Sequence, residues 1–272
     1  MGGAMRSLKK NNVRVSGAGT KPMLFAHGFG CDQSMWRYVA PAFEADHRVV
    51  LFDHVGAGGS DISAYNRAKY STLGGYADDV VDICGELDLR DVVFVGHSVS
   101  AIIGVLAAIK QPERFARLAF VAPSPRYVDD VGYTGGFSQR DIHGLLELLD
   151  SNYMAWSSMV APTIMGNPER PELGEELTSS FCRTNPTIAR HFARVTFLSD
   201  HRGDLPKLQR PSLILQCSED AIAPVAVGEY MHRNLSNSQL VRMTARGHCP
   251  HMSAPEEVIA AVRAFLPAPE RV

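Results

Sequence analysis

The chain has 272 residues, and its 45% hydrophobic and 21% charged residues are typical of a globular protein, which excludes global disorder. With 27 basic and 29 acidic residues, the formal net charge is −2, which argues against nucleic acid as the main partner. The five cysteines are odd in number and scattered, and none forms a C-x-x-C pair, so we expect reduced thiols instead of disulfides or a zinc site.

Short apolar runs alternate with helical patterns in the first half of the chain, and the alternation returns after residue 200. The predicted strands are Met23–His27, Val49–Asp53, Val92–Gly96, Leu118–Ala122, Ser212–Cys217 and Leu240–Met243. The predicted helices of these parts are Ser34–Ala45, Leu73–Leu89, Ser98–Lys110, Val225–Leu235 and Pro255–Phe265. Strands separated by helices require crossover connections, so the pattern predicts an α/β fold with a mostly parallel sheet.

The stretch from residue 126 to residue 199 has no strand pattern. Its helical segments are Asp141–Leu149, Glu172–Arg183 and Thr187–Leu198, and prolines punctuate them. We therefore predict a core of residues 1–125 and 200–272, with residues 126–199 inserted as a helical lid. Parallel sheets bind ligands at the carboxyl ends of their strands, where such a lid would lie. An ordinary second helical layer is the alternative.

Two segments bear on membrane insertion and secretion. Val92 to Ile109 carries no charged residue and nearly reaches the length of a membrane-spanning helix. Its first part is β-branched and its second part is helix-forming, with Gly96 and Ser98 between them, so we expect a buried strand and a buried helix without membrane association. The first ten residues contain no apolar run typical of a signal peptide, which predicts a cytoplasmic protein.

The strongest chemical signal is the segment Phe94-Val95-Gly96-His97-Ser98-Val99-Ser100. A buried strand runs into Gly-x-Ser and a helix follows at once, as in the nucleophile elbow of serine hydrolases. The sharp turn raises the serine hydroxyl above the sheet, and the helix N-terminus directs N–H groups towards a developing oxyanion. We therefore predict Ser98 as the nucleophile; a plain glycine-containing turn is the alternative. Ser100 replaces the last glycine of the usual motif, and its small side chain meets the same steric demand.

A serine nucleophile needs a histidine base and a carboxylate that orients the base. His248 lies in a glycine-containing loop after the last predicted strand, and Asp220 follows the strand before it, so both are expected at the carboxyl edge of the sheet. His251 and Glu219 are the neighbouring rivals; we expect a packing or loop-fixing role for His251 and prefer Asp220 to Glu219. The order Ser, Asp, His along the chain is that of α/β-hydrolases.

Two backbone N–H groups are candidates for an oxyanion hole. Val99 follows the nucleophile, and Phe29 lies between two glycines in the loop after the first predicted strand. Glycines on both sides let the backbone of Phe29 turn inward, which would aim its N–H at the carbonyl oxygen of a substrate. His27 and His97 flank the same region, and we expect their backbones to matter more than their rings.

No metal or nucleotide motif accompanies these residues. The run Gly56-Ala57-Gly58-Gly59 lacks the glycine spacing of a dinucleotide-binding loop, because Asp61 occupies the third position. His248 and His251 form only an isolated H-x-x-H pair, which falls short of a zinc ligand set. We therefore expect neither a cofactor nor a metal ion.

Several motifs together resemble the RsbQ-like branch of the α/β-hydrolases. They are residues 27–33 (HGFGCDQ), 52–56 (FDHVG), 96–101 (GHSVSA) and 247–251 (GHCPH), with 124–127 (SPRY), 135–137 (GGF) and Asn152-Tyr153-x-x-Trp156 in the predicted lid. The similarity runs from about Asn11 to Leu266. This branch includes a bacterial stress-response hydrolase and the plant karrikin and strigolactone receptors.

The resemblance implies a four-helix, V-shaped lid over an apolar pocket. By matching motifs, the residues that face the pocket would be Phe29, Tyr127, Phe137, Trp156 and Phe197. An apolar cavity with one polar catalytic corner suits a small, largely hydrophobic ester or lactone. The resemblance also implies a protein partner, such as a phosphatase with a PAS sensor domain or another signalling protein.

The resulting hypothesis is a serine hydrolase that works by two-step acyl transfer in bacterial stress signalling. A ligand-sensing signalling protein with slow turnover and a stand-alone metabolic esterase are the alternatives. A C–C bond hydrolase or a cofactor-free perhydrolase also stays open, because fold and triad do not determine the substrate. A dehalogenase is disfavoured, because the elbow carries Ser98 and not a carboxylate.

Overall fold

The computed structural model describes residues 6–267, so the ends of the predicted core, 1–5 and 268–272, lie outside the described residues. The strands in the described range are β1 (Arg14–Ser16), β2 (Lys21–Ala26), β3 (His47–Phe52), β4 (Val92–His97), β5 (Phe115–Val121), β6 (Ser212–Gln216) and β7 (Ser238–Arg242). They form one sheet in the order β1-β3-β2-β4-β5-β6-β7. β1 runs antiparallel to β3, and every other neighbouring pair is parallel. The predicted α/β fold with a mostly parallel sheet is therefore confirmed.

Helices cover both faces of this sheet. Within residues 6–267 the α-helices are α1 (Arg6–Lys10), α2 (Leu73–Glu86), α3 (Val99–Lys110), α4 (Gln139–Ser151), α5 (Tyr153–Met165), α6 (Pro171–Arg183), α7 (Pro186–Phe197), α8 (Val225–Asn234), α9 (Pro250–Ser253) and α10 (Pro255–Phe265). Short 3₁₀ helices lie at Gln33–Trp36, Ala40–Phe43, Ile62–Ala64, Lys69–Ser71, Pro112–Arg114 and Arg202–Lys207. Every predicted strand is present, and so are all predicted helices but one, with ends that differ by a few residues.

The central strands are apolar on both faces because they separate two layers of helices. In β4, Val92 and Phe94 pack into a cluster with buried residues of α2 and α3. The alternate residues Val93 and Val95 pack into a second cluster, which contains Val258 of α10. Side chains of a strand point alternately to its two faces, so a continuous apolar run is what a doubly covered strand requires.

Apolar spacing accounts for the helices on one of these faces. The buried apolar residues of α2 recur every three or four positions, and they are Leu73, Tyr76, Ala77, Val80, Ile83 and Cys84. This spacing places them on a single face that packs on the sheet. α3 is buried on most sides, so β4 and α3 together accommodate the uncharged segment Val92–Ile109 as predicted. Among the described residues, no helix is long and apolar enough to cross a membrane.

The predicted helix at Ser34–Ala45 is wrong. The chain instead makes two 3₁₀ turns there, Gln33–Trp36 and Ala40–Phe43. Pro41 lies at the start of the second turn. A proline lacks the N–H of an α-helix and its ring collides with the preceding turn, which disfavours a continuous α-helix through this residue.

α5 has no counterpart among the helices predicted from apolar spacing. Pro162 predicts an interruption, yet α5 continues through it and ends at Gly166, whose φ of 60° forms a left-handed C-cap. Pro162 has no N–H to donate to the carbonyl oxygen four residues earlier, so α5 continues with one hydrogen bond fewer. Local composition alone therefore underestimates the helix content of this region.

The helices α4 to α7, here called the lid helices, follow one another between β5 and β6. They share an apolar cluster with Cys31, Tyr127 and Cys249, which follow the carboxyl ends of β2, β5 and β7. The lid helices therefore cover the edge of the sheet at which the predicted catalytic residues are expected. The division of the chain into a core and a lid at residues 126 and 199 stays a prediction.

Candidate active site

Ser98 occupies a sharp turn between β4 and α3. Its φ of 56° and ψ of −124° lie in a region that residues other than glycine rarely adopt, at a cost of about 1–3 kcal/mol. The turn also needs Gly96, because a Cβ at that position would lie 2.6 Å from the carbonyl oxygen of Ser100. The strained turn expected from the strand, Gly-x-Ser and helix pattern is present, with Ser98 at its apex.

Ser98, His248 and Asp220 lie in one hydrogen-bonded line. His248 Nδ1 lies 2.8 Å from Asp220 Oδ2, and His248 Nε2 lies 2.7 Å from Ser98 Oγ. An ionised carboxylate only accepts hydrogen bonds, so Nδ1 carries the proton and Nε2 accepts the Ser98 hydroxyl. The amides of Ile222 and Ala223 donate to Asp220 Oδ1 at 2.8 and 3.0 Å. These bonds hold the carboxylate in position for the histidine.

The two rival residues have other roles. Glu219 is exposed, and its backbone carbonyl accepts the Gly247 amide at 2.7 Å. His251 is fully buried, with its ring 4.7 Å from that of Trp36 and 4.3 Å from that of His97. Neither ring nitrogen of His251 has a hydrogen-bond partner among the described residues, and burial lowers its pKa to about 3. His251 is therefore a neutral packing group, as expected.

His27 and His97, whose backbones are expected to matter more than their rings, also make hydrogen bonds through their rings. His97 Nε2 lies 2.8 Å from the carbonyl oxygen of His248, and because a carbonyl only accepts, this nitrogen carries the proton. Burial lowers the pKa of His97 well below its usual value, so the ring stays neutral. His27 Nε2 accepts the amide of His54 at 3.0 Å, which joins the loop after β2 to the loop after β3.

Ser100, at the position of the last glycine of the usual motif, is fully buried. Its hydroxyl donates to the carbonyl oxygen of His27 and therefore accepts from His54 Nε2, 2.7 Å away. Burial lowers the pKa of His54 well below its usual value, which agrees with a neutral ring that carries its proton on Nε2. Ser100 thus meets the steric demand and in addition joins the elbow to the ends of β2 and β3.

Tyr127 contacts the predicted nucleophile directly. Its hydroxyl lies 3.3 Å from Ser98 Oγ. Because the Ser98 proton is directed to His248, Tyr127 is the donor in this contact. Burial raises the pKa of Tyr127, so the phenol keeps its proton at neutral pH. The resemblance implies a pocket position for Tyr127, but the hydrogen bond depends on how the segment after β5 folds over the elbow, which no motif predicts.

The backbone N–H groups of Phe29 and Val99 have no hydrogen-bond partner within residues 6–267. The loop that carries Phe29 lies against the elbow, since a Cβ at Gly28 would lie 2.5 Å from His97 Nδ1 and 3.3 Å from Ser98 Cβ. Only glycine allows this close approach. Both predicted oxyanion donors are therefore free to bind a substrate oxygen.

A cavity lies directly above Ser98. About 420 Å³ of space there is free of atoms, of which about 30 Å³ is wide enough for the centre of a water molecule. The cavity is therefore narrow, with room for one or two waters, and a larger ligand must displace side chains of the wall. Four predicted pocket residues line it, namely Phe29, Tyr127, Trp156 and Phe197.

The wall of the cavity is largely aromatic and centres on Phe29. The rings within 5.7–6.1 Å of the Phe29 ring are those of Trp156, Phe181, Phe192 and Phe197. These rings meet edge-on or tilted, which is the favourable arrangement for aromatic pairs. Packing of this kind holds Phe29 and, with it, the N–H group next to the nucleophile.

Phe137 is the predicted pocket residue that the structure places outside the cavity lining, so the prediction is wrong for this residue. Its amide donates to the Tyr127 carbonyl at 3.2 Å, and its carbonyl accepts the Asp129 amide at 2.8 Å. This backbone pairing fixes Phe137 just before the N-cap of α4, where its side chain packs on the outside of the cluster shared by the lid helices.

Sequence reasoning missed seven further residues that line the cavity. They are Cys31, Ile164, Leu177, Phe181, Thr196, Ile222 and Cys249. Cys31 and Cys249 lie inside two of the motifs that predict site residues, 27–33 and 247–251, so their positions are a usable signal, whereas the lid residues offer none. Burial raises the pKa of both thiols, so both remain protonated wall groups.

All five cysteines lie within the described residues. All five are unpaired, and four of them are buried. The part of the chain that the structure describes contains no group of three or more histidine, cysteine or acidic side chains that could hold a metal ion.

The chain is similar in sequence to known proteins over most of its length. Residues 23–261 match a protein family described as Alpha/beta hydrolase family. The chain is 41% identical over 250 residues to the karrikin insensitive 2 receptor CA of Petunia hybrida, covering 92% of this chain and 93% of that protein. It is 36% identical over 261 residues to a strigolactone esterase of Arabidopsis thaliana, covering 96% of this chain and 97% of that protein.

A solved structure is similar over nearly the whole chain. It is that of a hydrolase from Oleispira antarctica, with a TM-score of 0.94 and 41% sequence identity. The match covers 96% of this chain and 96% of that chain, so it includes both the sheet and the lid helices.

Proposed function

The chain belongs to the alpha/beta hydrolase family, and from this premise we propose that it is a serine hydrolase for a small, largely hydrophobic ester or lactone. The observation that carries the proposal is the hydrogen-bonded line from Asp220 through His248 to Ser98 at the floor of a narrow cavity. A charged substrate would lose its hydration against the aromatic wall without gaining a partner, whereas an apolar one gains from burial.

The first chemical step forms an acyl-enzyme. His248 Nε2 takes the proton of Ser98 Oγ, 2.7 Å away, as the oxygen attacks the substrate carbonyl. Asp220 stabilises the imidazolium through Nδ1–H, and the N–H groups of Phe29 and Val99 stabilise the oxyanion. When the tetrahedral intermediate collapses, the imidazolium protonates the leaving alcohol, which in a lactone stays attached to the acyl group.

The second step releases the acyl group. A water molecule gives a proton to His248 Nε2 and attacks the acyl carbon, and the same N–H groups stabilise the second oxyanion. Collapse frees the carboxylic acid and returns the proton to Ser98. Tyr127 donates a hydrogen bond to Ser98 Oγ at 3.3 Å, so it contacts the attacking oxygen of the first step, whereas in the second step the attacking oxygen is that of water.

A second candidate function is ligand sensing with slow turnover. The similarity to a protein named as a karrikin insensitive 2 receptor supports it, as does the narrowness of the cavity, which makes ligand entry depend on a change of the wall. In that case the signal would be a change in the position of the lid helices, and not the reaction product. Slow single turnover together with a large ligand-induced rise in melting temperature would favour sensing, and fast multiple turnover would favour an esterase.

The narrower predictions concern the physiological role. Only the motif resemblance supports a role in bacterial stress signalling with a PAS-domain phosphatase as partner, and the RsbQ-like branch, this role and the cytoplasmic location stay predictions. A pull-down from the native host with the Ser98→Ala protein, compared with a variant of an exposed residue, would identify a partner of the lid if there is one.

Hydrolysis of a short p-nitrophenyl ester tests the proposed function. Replacement of Ser98 by alanine should reduce kcat by about 10⁶-fold if the three residues act as a unit. Ser151→Ala is the matched control, because Ser151 is an exposed serine of α4 and its loss should leave the rate unchanged. A covalent adduct on Ser98, found by intact mass spectrometry, would identify the acyl group. Equal rates of wild type and Ser98→Ala would end the proposal.

A further inference from the structure

Thr196 lies in the last turn of α7 and lines the cavity above Ser98. Only 1% of its surface is exposed. Its hydroxyl Oγ1 has no hydrogen-bond partner among residues 6–267. A buried hydroxyl without a partner is unfavourable, and native proteins contain few of them, so its position on the cavity wall calls for an explanation.

Other hydroxyl side chains between β5 and β6 show how such a group is ordinarily satisfied. Ser157, Thr178 and Thr184 each donate to the carbonyl oxygen four residues earlier, at 2.8, 2.9 and 3.4 Å. A threonine in an α-helix can in general make this bond, but Thr196 does not make it with Phe192. Its hydroxyl is therefore not used by its own helix and remains available at the cavity wall.

We infer that the Thr196 hydroxyl is a specificity-determining group that forms a hydrogen bond with the substrate. The inference rests on the proposed function, in which the N–H groups of Phe29 and Val99 bind the reacting carbonyl oxygen. Thr196 then serves a second oxygen. The favoured substrates are esters or lactones that carry an ether, carbonyl or hydroxyl oxygen in addition to the ester group.

The apolar side chains around the Thr196 hydroxyl increase its effect on which substrates bind. Phe29, Leu177 and Phe197 line the same cavity, and their side chains offer no hydrogen bond. A hydroxyl both donates and accepts, so each kind of oxygen can pair with it, whereas a hydrocarbon group in the same place leaves it unpaired. Sites built to hydrogen-bond a substrate discriminate against analogues that lack the polar group.

Matched pairs of p-nitrophenyl esters test the inference. In each pair an ether oxygen replaces one methylene: methoxyacetate against butyrate, and 3-methoxypropanoate against pentanoate. The quantity of interest is the ratio of kcat/KM for the ether to kcat/KM for the hydrocarbon. Because Thr196→Val removes the hydroxyl and keeps the shape, we expect this ratio to fall about 2- to 10-fold in at least one pair, which corresponds to the loss of one hydrogen bond.

Thr178→Val is the control, since it also removes a hydroxyl from a lid helix but from a residue outside the cavity lining. Its ratios should equal those of the wild type. The melting temperature of Thr196→Val should stay the same or rise by about 2–4 °C, because an unpaired buried hydroxyl is removed. Unchanged ratios in both pairs would overturn the inference. If the melting temperature of Thr196→Val also dropped, the hydroxyl would have a structural role instead.

Binding measurements separate this inference from the proposed function. Quenching of tryptophan fluorescence by the same esters gives Kd for Ser98→Ala and for Ser98→Ala/Thr196→Val. A weaker preference for the ether ester in the double variant supports the role of Thr196 even if the wild type hydrolyses none of the esters. Equal preferences in the two proteins would count against Thr196 even if the wild type is an active esterase.

Discussion

His97 Nε2 donates a hydrogen bond to the backbone carbonyl oxygen of His248, 2.8 Å away. The ring of His248 is oriented by Asp220 at 2.8 Å, and its main chain is held by the residue that precedes Ser98. The nucleophile and the base are thus connected twice, once through their side chains and once through His97. We conclude that His97 helps to position the base.

Replacing His97 should therefore reduce kcat, and the size of the loss should depend on whether the new side chain can donate a hydrogen bond to the His248 carbonyl. In His97→Phe an aromatic ring remains but the N–H is lost, so we expect kcat for a nitrophenyl ester to fall about 10- to 100-fold as the base shifts. Glutamine places an N–H at a similar reach, and His97→Gln should recover most of this loss. Steady-state kinetics of both variants measure the difference; identical kcat values for the two would contradict the role of the donor.

Two glycines should respond in opposite directions to replacement by alanine. Gly247 has a φ of +81°, and a Cβ there would overlap the carbonyl oxygen of Met165, so Gly247→Ala should lower the free energy of unfolding by about 2–4 kcal/mol. Gly144 lies exposed in α4, and a Cβ at this position would have no atom within 4 Å, so Gly144→Ala should raise it by about 0.5–1 kcal/mol. Urea unfolding measures both; a loss for Gly144→Ala as large as that for Gly247→Ala would refute the local account.

Burial of His251 makes stability depend on pH. Its pKa is lowered from the usual 6.5 to about 3, so the folded protein keeps the ring neutral while the unfolded chain takes up a proton below about pH 6.5. The stabilisation is complete above that value and is lost as the pH falls towards 3.

The variant His251→Phe isolates this contribution, because phenylalanine packs against Trp36 but cannot be protonated. Between pH 6.5 and about pH 5, its free energy of unfolding should fall by about 2 kcal/mol less than that of the wild type. Urea unfolding at the two pH values gives the numbers. The exposed His143 provides the control: His143→Phe should lose stability with pH as the wild type does, and equal pH dependence in all three proteins would show that burial of His251 has no such effect.

The cysteines should differ in their reactivity towards a thiol reagent. Cys182 is the partly exposed one, and the others are buried, with the pKa of Cys31 and Cys249 raised by burial. Only a thiolate reacts rapidly, so we expect native protein at about pH 8 to incorporate one label, at Cys182, and unfolded protein to incorporate labels at every cysteine. Cys182→Ser should remove the native label; rapid labelling of Cys249 in the folded protein would show that the cavity opens to the reagent.

The sequence predicts this site well where function depends on local patterns. Ser98 follows from a strand, Gly-x-Ser and a helix, and His248 and Asp220 follow from their places after strands, because parallel strands bring their carboxyl ends to one edge. Contacts between residues that lie far apart in the sequence are not predicted by such local patterns. The hydrogen bond from Tyr127 to Ser98 and the place of Thr196 in the wall depend on how the lid helices pack, which apolar spacing does not encode.

The errors have equally physical causes. The apolar pattern at Ser34–Ala45 reflects side chains that pack into the core, but Pro41 disfavours the α-helix that this pattern would otherwise favour. Phe137 carries the motif of a pocket residue, but backbone pairing with the segment after β5 directs it outside the cavity lining. In both cases a backbone constraint determines the local structure, although the residues are apolar as the prediction assumes.

One backbone contact links the lid helices to the chemistry. The amide of His248 donates to the carbonyl oxygen of Ile164 at 2.8 Å, and Ile164 belongs to the last turn of α5. If α5 is raised to admit a ligand, this bond breaks and the loop that carries the base loses its support. If ligands enter by such a movement, the protein can react only after α5 has returned and the loop that carries His248 is held again.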